Sequence, residues 1–303
     1  MRACVLHLSL TVALVPPVAL VPPVARKPSR VVCGGAAYDY FVQALGCTEE
    51  EAAKAEGKLL PPIAERVTRA RADERCSWLQ SSLDLSDAQL RKLVMTLPAL
   101  LAYSVEDNLE PKLQWLRTRL ELDDAQLRKV VMTLPALLSY SVEDNLEPKL
   151  QWLQTRLDQD DAGLRTMVLR LPAVLSLSVE DNMAPKLDWL QSRLDLDDLG
   201  LRKMVLTVPA LLGYSVQDNM EPKLAFFEEE LGLSPSEVRS SIISAPTRLC
   251  YSLKTRYRPR LEVCRAVGAD VSIVLSGGGR TDAVFCKRVG VPLEALRAAQ
   301  EDV

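Results

Sequence analysis

The chain has 303 residues, of which 48% are hydrophobic and only 5% aromatic, so leucine, valine and alanine must form most of its core. Its formal net charge is −3, and its only histidine is His7, close to the N-terminus. A histidine base, a histidine-containing triad and a histidine-ligated metal are therefore excluded from the rest of the chain. We predict a protein that is not an enzyme and has no cofactor.

Residues 1–35 are predicted to be a targeting presequence rather than part of the fold. Arg2 precedes an apolar run at 3–15, a basic patch follows at 26–30, and no carboxylate occurs before Asp39. The apolar run is too short to span a bilayer. This order is typical of a signal sequence joined to a transit peptide, the address of plastids acquired by secondary endosymbiosis. We therefore expect an organellar protein that is not in a membrane, with a plastid favoured and a mitochondrion as the alternative.

A 37-residue repeat begins near Tyr38 and continues to about residue 265. Two proline positions mark it: Pro98, Pro135, Pro172, Pro209 and Pro246, and then Pro111, Pro148, Pro185, Pro222 and Pro259. A unit of this length cannot bury its apolar face alone and has to stack on its neighbours. The sequence predicts an all-α helical-repeat solenoid of about six repeats over residues 38–265, completed by a C-terminal tail at 266–303.

Each unit is predicted to contain a helix, a tight turn and a second helix. In one regular unit Ser86 and Gln89 form the capping box of the first helix, and Pro98 ends it. Its apolar stripe has helical spacing, at Leu90, Leu93, Val94 and Leu97. Ser104 or Asn108 caps the second helix. The inner face of that helix carries Leu109, Leu113, Leu116 and Leu120.

Other motifs have structural interpretations. The Gly277–Gly279 run resembles a phosphate loop only superficially, because no GKS or GKT follows it, and we interpret it as a flexible connector. The acidic pair Glu106 and Asp107, repeated in later units, is interpreted as stabilising a helix start rather than as a divalent-ion site. We predict no metal site.

Positive charge is concentrated near the end of the array, since residues 31–238 sum to −12 and residues 239–265 to +6. One candidate set for phosphate contact is a C-terminal cluster of five cations within thirteen residues, without a carboxylate: Arg248, Lys254, Arg256, Arg258 and Arg260. Another is a ladder with one arginine per repeat: Arg91, Arg128, Arg165, Arg202 and Arg239. The cluster needs an anionic partner. For the ladder, a solvated helix face is an equally acceptable interpretation.

Two further cationic ladders share the 37-residue spacing. One comprises Lys112, Lys149, Lys186 and Lys223 and ends at Arg260. The other comprises Arg119, Arg156 and Arg193. These side chains are predicted either to track a phosphate backbone or to cover a solvated face beside nearby carboxylates such as Asp107.

The repeated pattern LxxxPxLLxYSVEDNLxPKLxWL, and above all its last copy PTRLCYSLKTRYRPRL at 246–261, resembles the mitochondrial transcription termination factor (mTERF) family. The resemblance runs from about Tyr38 to Val289. It implies a superhelix of paired helices, each pair with a short turn helix, that grips nucleic acid in its groove. It also implies a role in organelle transcription or RNA metabolism.

Two function classes remain open at this point. The first is an organellar regulator of transcription, including termination, or of RNA metabolism, with organellar DNA or RNA as its partner and other organellar gene-expression proteins as further ones. The second is a protein-interaction scaffold, favoured by the acidic body and the nearly identical repeats. We expect a monomer in either case. For the first class, the charge distribution predicts that nucleic acid contacts the C-terminal end rather than the whole array.

Overall fold

The computed structural model describes residues 35–276 and 281–301, and all regular structure within them is helical. The predicted presequence up to residue 34 and the Gly277–Gly279 connector lie outside these residues, so both interpretations remain predictions. Within the described residues, no helix is long and apolar enough to cross a membrane.

Five helix pairs form the body of the array. The first helices of the pairs are α5 (Asp87–Thr96), α7 (Asp124–Thr133), α9 (Asp161–Arg170), α11 (Asp198–Thr207) and α13 (Pro235–Ser244). The second helices are α6 (Glu110–Arg119), α8 (Glu147–Arg156), α10 (Ala184–Arg193), α12 (Glu221–Ala225) and α14 (Arg258–Val267). Between them lie the 3₁₀ turns Pro98–Ala102, Pro135–Ser139, Pro172–Ser176, Pro209–Gly213 and Pro246–Cys250. The predicted all-α solenoid is confirmed.

Less regular helices flank these pairs. The N-terminal units consist of α1 (Ala36–Gln43), α2 (Glu49–Glu56), α3 (Pro61–Ala64) and α4 (Arg69–Leu83). At the other end lie α15 (Ser272–Ser276), α16 (Asp282–Val289) and α17 (Leu293–Glu301). The end helix α17 packs on α14, and Gln300 donates a hydrogen bond of 3.1 Å to the carbonyl of Thr255. The C-terminal helices therefore cover the last repeat.

Both ends of the first helix are set locally. Ser86 accepts from the amide of Gln89, whose side chain accepts from the amide of Ser86, so the predicted capping box is present. Proline cannot continue the hydrogen-bond ladder, and Pro98 accordingly begins a 3₁₀ turn. The predicted core stripe is confirmed, because Leu90, Leu93 and Val94 are buried.

The second helix begins at Ser104, so of the two predicted caps Asn108 is the wrong one. The Ser104 hydroxyl accepts from the amide of Asp107 at 3.0 Å. The next turn, Val105–Leu109, is a wide π-helical turn in which the amide of Leu109 donates to the carbonyl of Ser104. The reason is Pro111, whose ring in a regular α-helix would collide with the carbonyl four residues earlier. The same wide turn recurs at Val142–Leu146, Val179–Met183, Val216–Met220 and Leu253–Tyr257, before each equivalent proline.

The lysine ladder is buried and fastens each repeat to the next. Lys149, only 6% exposed, donates to Asn145 Oδ1 at 3.1 Å and to the carbonyl of Leu175, in the next 3₁₀ turn, at 2.6 Å. Lys112, Lys186 and Lys223 make the equivalent pairs of bonds. Burial lowers the pKa of Lys149, against the opposing effect of the nearby Glu180 carboxylate. The interpretation of this ladder as a phosphate track is therefore wrong, since these ammonium groups are enclosed between repeats.

Lys149→Met is expected to destabilise the protein by about 1–3 kcal/mol, because the thioether chain fills the space but leaves Asn145 Oδ1 and the Leu175 carbonyl without their donor. The measurement is denaturant-induced unfolding followed by circular dichroism. Lys129→Met is the control, since Lys129 is exposed and its loss is expected to change stability by less than about 0.5 kcal/mol. Equal effects from the two variants would contradict the fastening role.

Candidate nucleic-acid interface

The predicted arginine ladder is a series of ion pairs between repeats. Arg202 Nη1 lies 2.5 Å from Asp158 Oδ2, and Arg165 Nη1 lies 3.0 Å from Glu121 Oε2. The other three members pair in the same way, Arg91 with Glu51, Arg128 with Asp84 and Arg239 with Asp195. Because each arginine carries its own carboxylate, the ladder presents no net charge to a polynucleotide.

The acidic partners in this ladder occupy a conformation that side chains rarely adopt. Asp84, Glu121, Asp158 and Asp195 end their helices with φ between 45° and 48°, in the left-handed region. Glycine is the usual residue there, and Gly232 holds the equivalent place after the second helix of the fourth pair, with φ of 69°. A carboxylate at this helix end pairs with the arginine 44 residues later. This ion pair is a physical reason for an acidic residue in place of glycine.

The ladder of Arg119, Arg156 and Arg193 is also paired. Arg119 bonds Glu147 and Asp161, Arg156 contacts Asp188 and Asp198, and Arg193 bonds Glu221 and Glu228. These partners all belong to the following helix pairs. Most arginines of the acidic body therefore stabilise the stacking of repeats.

Two of the five C-terminal cluster residues point into the protein. Arg260 is fully buried, with Nη2 2.7 Å from Asp282 Oδ1 and its guanidinium over the ring of Phe285. Arg248 is half-buried and donates from Nη1 to the carbonyl of Ser241 and from Nε to that of Leu275. Arg260 therefore has no surface to offer to a phosphate, and its inclusion among the predicted contact residues is corrected.

The other three cluster residues lie at the start of the last second helix. Lys254 is exposed and forms no ion pair with any residue of the described ranges. The Arg256 guanidinium stacks over the ring of Tyr251, 4.2 Å from its centroid. Arg258 is 47% exposed and pairs with Glu230 at 3.0 Å. We call Lys254, Arg256 and Arg258 the basic edge.

The basic edge replaces an acidic edge that is present in the four helix pairs before it. Its three positions are occupied by Glu106, Asn108 and Glu110 in one unit and by Glu143, Asn145 and Glu147 in the next. The third pair has Glu180, Asn182 and Ala184 at these positions. The fourth pair has Gln217, Asn219 and Glu221. The last pair has Lys254, Arg256 and Arg258. Over the five helix pairs this helix start thus changes from anionic to cationic, whereas α4 in the N-terminal units carries Arg69, Arg71 and Asp73 at the same positions.

One ion pair shows this inversion directly. In the preceding interface Arg193 pairs with Glu221, whereas in the last interface the equivalent residues are Glu230 and Arg258, with the charges exchanged. An ion pair between these two positions forms whichever of them carries the cation. The stacking of repeats alone therefore does not require an arginine at position 258. The exchange brings the cation to the helix start, where free amides also favour an anion.

A second exposed cationic surface was missed in the sequence. One position of the first helices is a lysine in α5, α7 and α11, namely Lys92, Lys129 and Lys203. In α9 the cation is Arg170, one turn further along the helix. All four are exposed, and none pairs with a carboxylate of residues 35–276 or 281–301. No acidic residue lies three or four positions from any of them. We call this set the first-helix stripe. Its 37-residue spacing was visible directly beside the arginine ladder.

Other chemistry has little support among the described residues, which contain no cluster of His, Cys, Asp or Glu able to hold a metal ion. Burial raises the pKa of the thiols of Cys76, Cys264 and Cys286, which makes them poor nucleophiles.

Stacked helix pairs, alternating with short turn helices and ending in a cationic last unit, define a helical-repeat protein. The family model mTERF matches residues 36–275, which confirms the resemblance seen in the repeat motif, and the chain belongs to the mTERF family. Members of this family are organellar helical-repeat proteins that bind nucleic acid and are generally not enzymes. Comparison with curated proteins gives no match.

Proposed function

We propose that this protein binds organellar DNA or RNA through the basic edge and thereby regulates organelle transcription, including termination, or RNA metabolism. The observation that carries the proposal is the inversion of charge at one helix start, from Glu106 and Glu110 to Lys254 and Arg258. Helix stability does not explain it, because cations at a helix N-terminus oppose the helix dipole. A phosphate bound there removes that penalty.

The first-helix stripe supports the same function as a secondary contact. Stacked helices lie roughly 8–10 Å apart, so equivalent cations on successive first helices recur at about that distance. Such a row follows a polyanion without reading its sequence. The stripe has one cation in each of the first four helix pairs, whereas the basic edge has three within five residues. We therefore assign the stronger contact to the basic edge.

The test measures binding of a 30-base-pair duplex DNA and of a single-stranded RNA by fluorescence anisotropy, at salt concentrations from about 50 to 300 mM. We expect the logarithm of the association constant to fall linearly with the logarithm of salt concentration, with a slope of about −3 or steeper if three or more phosphates are neutralised. The probe with the higher affinity identifies the nucleic acid. Absence of binding to both at about 50 mM salt would contradict the proposal.

A further inference from the structure

Open grooves lie between successive second helices, along the row of helix starts that precedes the basic edge. One groove has a volume of about 410 Å³, and its walls include Tyr140, Asp144, Lys149, Trp152 and Glu180. It recurs one repeat later, where the volume is about 540 Å³. The walls there include Asp181, Lys186, Trp189 and Gln217, which are equivalent to Asp144, Lys149, Trp152 and Glu180, together with Tyr214. The repeat thus generates a row of similar sites.

The edge of these grooves carries carboxylates whose hydrogen-bond partners within the described residues are serine hydroxyls rather than cations. Seven exposed acids occupy two adjacent repeat positions, Glu106, Asp107, Glu143, Asp144, Glu180, Asp181 and Asp218. None forms an ion pair within residues 35–276 and 281–301, although sixteen other ion pairs are present there. The buried lysine of each groove offsets only part of this charge. The row therefore has a net negative charge that no ion pair within the described residues compensates.

Helix capping does not account for all of these acids. Asp144 does have a local role, since it accepts from the Ser141 hydroxyl at 3.0 Å. The repeat position directly before Asp144 is not always acidic. It is Glu143 and Glu180 in two successive repeats, and then Gln217 and Lys254 in the next two. The helix starts there regardless, capped by Ser215 and Ser252. The glutamates at 106, 143 and 180 are therefore not needed to start their helices.

An aromatic wall gives the grooves their second property. Trp152 and Trp189 are half-buried, and each exposes part of its indole to the groove that it lines. A guanidinium stacks favourably on such a face while pairing with a carboxylate beside it. Lys223 already lies over the ring of Tyr214, 5.4 Å from its centroid, which shows that this environment accepts a cation over an aromatic ring.

We propose that this face binds an extended, arginine-rich segment of a partner protein, with one arginine in each groove. The spacing supports an extended segment, because three residues of extended chain span about 10 Å, which matches one helix-packing distance. Arginine at every third position therefore keeps register with the repeats. The row ends where Lys254 replaces the acid, so this peptide surface stops at the unit in which the basic edge begins.

The probe is a fluorescein-labelled peptide with the sequence Arg-Gly-Ser repeated four times, titrated with the full chain in the absence of nucleic acid. The Glu143→Gln/Glu180→Gln variant is expected to bind it about tenfold more weakly, from the loss of two carboxylate contacts. The control is Glu49→Gln/Glu50→Gln, which removes the same charge from exposed residues of α2, and we expect less than about a twofold change. Equal losses in both variants, or no binding of the peptide to the unmodified chain, would overturn the proposal.

A second peptide tests the spacing. It has the same length and the same four arginines, grouped at one end, so it cannot place one cation in each of several grooves. We expect it to bind about three- to tenfold more weakly than the evenly spaced peptide, because fewer sites are engaged at once. Equal affinity would show that net charge alone attracts the peptide and would overturn the assignment of one arginine per groove.

Discussion

Replacing Lys254, Arg256 and Arg258 together by glutamine is expected to weaken nucleic-acid binding about 100-fold near 100 mM salt and to reduce the slope of its salt dependence by about three. Each substitution removes one cation from a helix start at which the main chain also favours phosphate. The loss is expected to be uniform across sequences, because contacts to phosphate do not distinguish bases. Anisotropy titrations at several salt concentrations measure both effects.

The matched control replaces Lys54, Arg66 and Arg71 by glutamine. These cations are exposed and lie at the opposite end of the array, so the net charge changes equally while the basic edge remains. We expect a change in affinity of about twofold or less. A loss as large as that of the basic-edge variant would show that binding depends on total charge. Because Arg258 also pairs with Glu230, Lys254→Gln alone serves as a variant that breaks no ion pair.

The second large effect concerns the pair that joins the last repeat to the C-terminal helices. Asp282→Ala is expected to destabilise the region of α16 and α17 by about 3 kcal/mol, because it removes the carboxylate that faces the buried Arg260. Gln300, which also bonds Asp282, loses an acceptor at the same time. Hydrogen exchange of the α16 and α17 amides measures the loss, since the end of a repeat array opens locally. Unchanged exchange in these helices would contradict this role.

The contribution of Asp282 depends on pH with a defined sign. Burial opposes its ionisation, but the hydrogen bonds from Arg260 and Gln300 are stronger, and the pKa of Asp282 in the folded protein lies below its ordinary value of 3.8. A carboxyl group whose pKa is lowered by folding stabilises the protein above the pKa of the unfolded chain. The difference in stability between the unmodified protein and Asp282→Ala is therefore at its maximum near pH 7. It should shrink as the pH falls below 3.8, and a constant difference would contradict the ion pair.

The helical unit could be predicted almost completely from sequence because its signals are local. The capping box of Ser86 and Gln89, the proline stops and the leucine stripes each act within about two helical turns. Repetition at 37 residues then implied stacking. The exception was the start of the second helix, where Asn108 and Ser104 were both acceptable caps. The structure shows that Asn108 instead accepts from Lys112, which also donates to the carbonyl of Leu138 in the next repeat, a contact that the local sequence does not reveal.

The candidate site was predicted only in part, because the partners of a charged side chain come from other repeats. Arg202 and Lys203 are neighbours in the chain, and both have counterparts at 37-residue spacing, yet Arg202 pairs with Asp158 and Lys203 is exposed without such a pair among the described residues. Counting charges along the sequence cannot separate them. The same reason explains Arg260, whose partner Asp282 lies 22 residues later, in a helix outside the repeat.

The sequence by itself determined the repeat, its helices, its family and the excess of positive charge near residues 239–265, since each of these is a property of spacing or composition. Only the tertiary structure decided which cations are available. Stacking places a lysine or arginine of one repeat against a carbonyl or carboxylate of another, 26 to 44 residues away. Burial and pairing then remove most cations from the surface. We propose Lys254, Arg256 and Arg258, grouped at one helix start, and the first-helix stripe as the contacts for a polyanion.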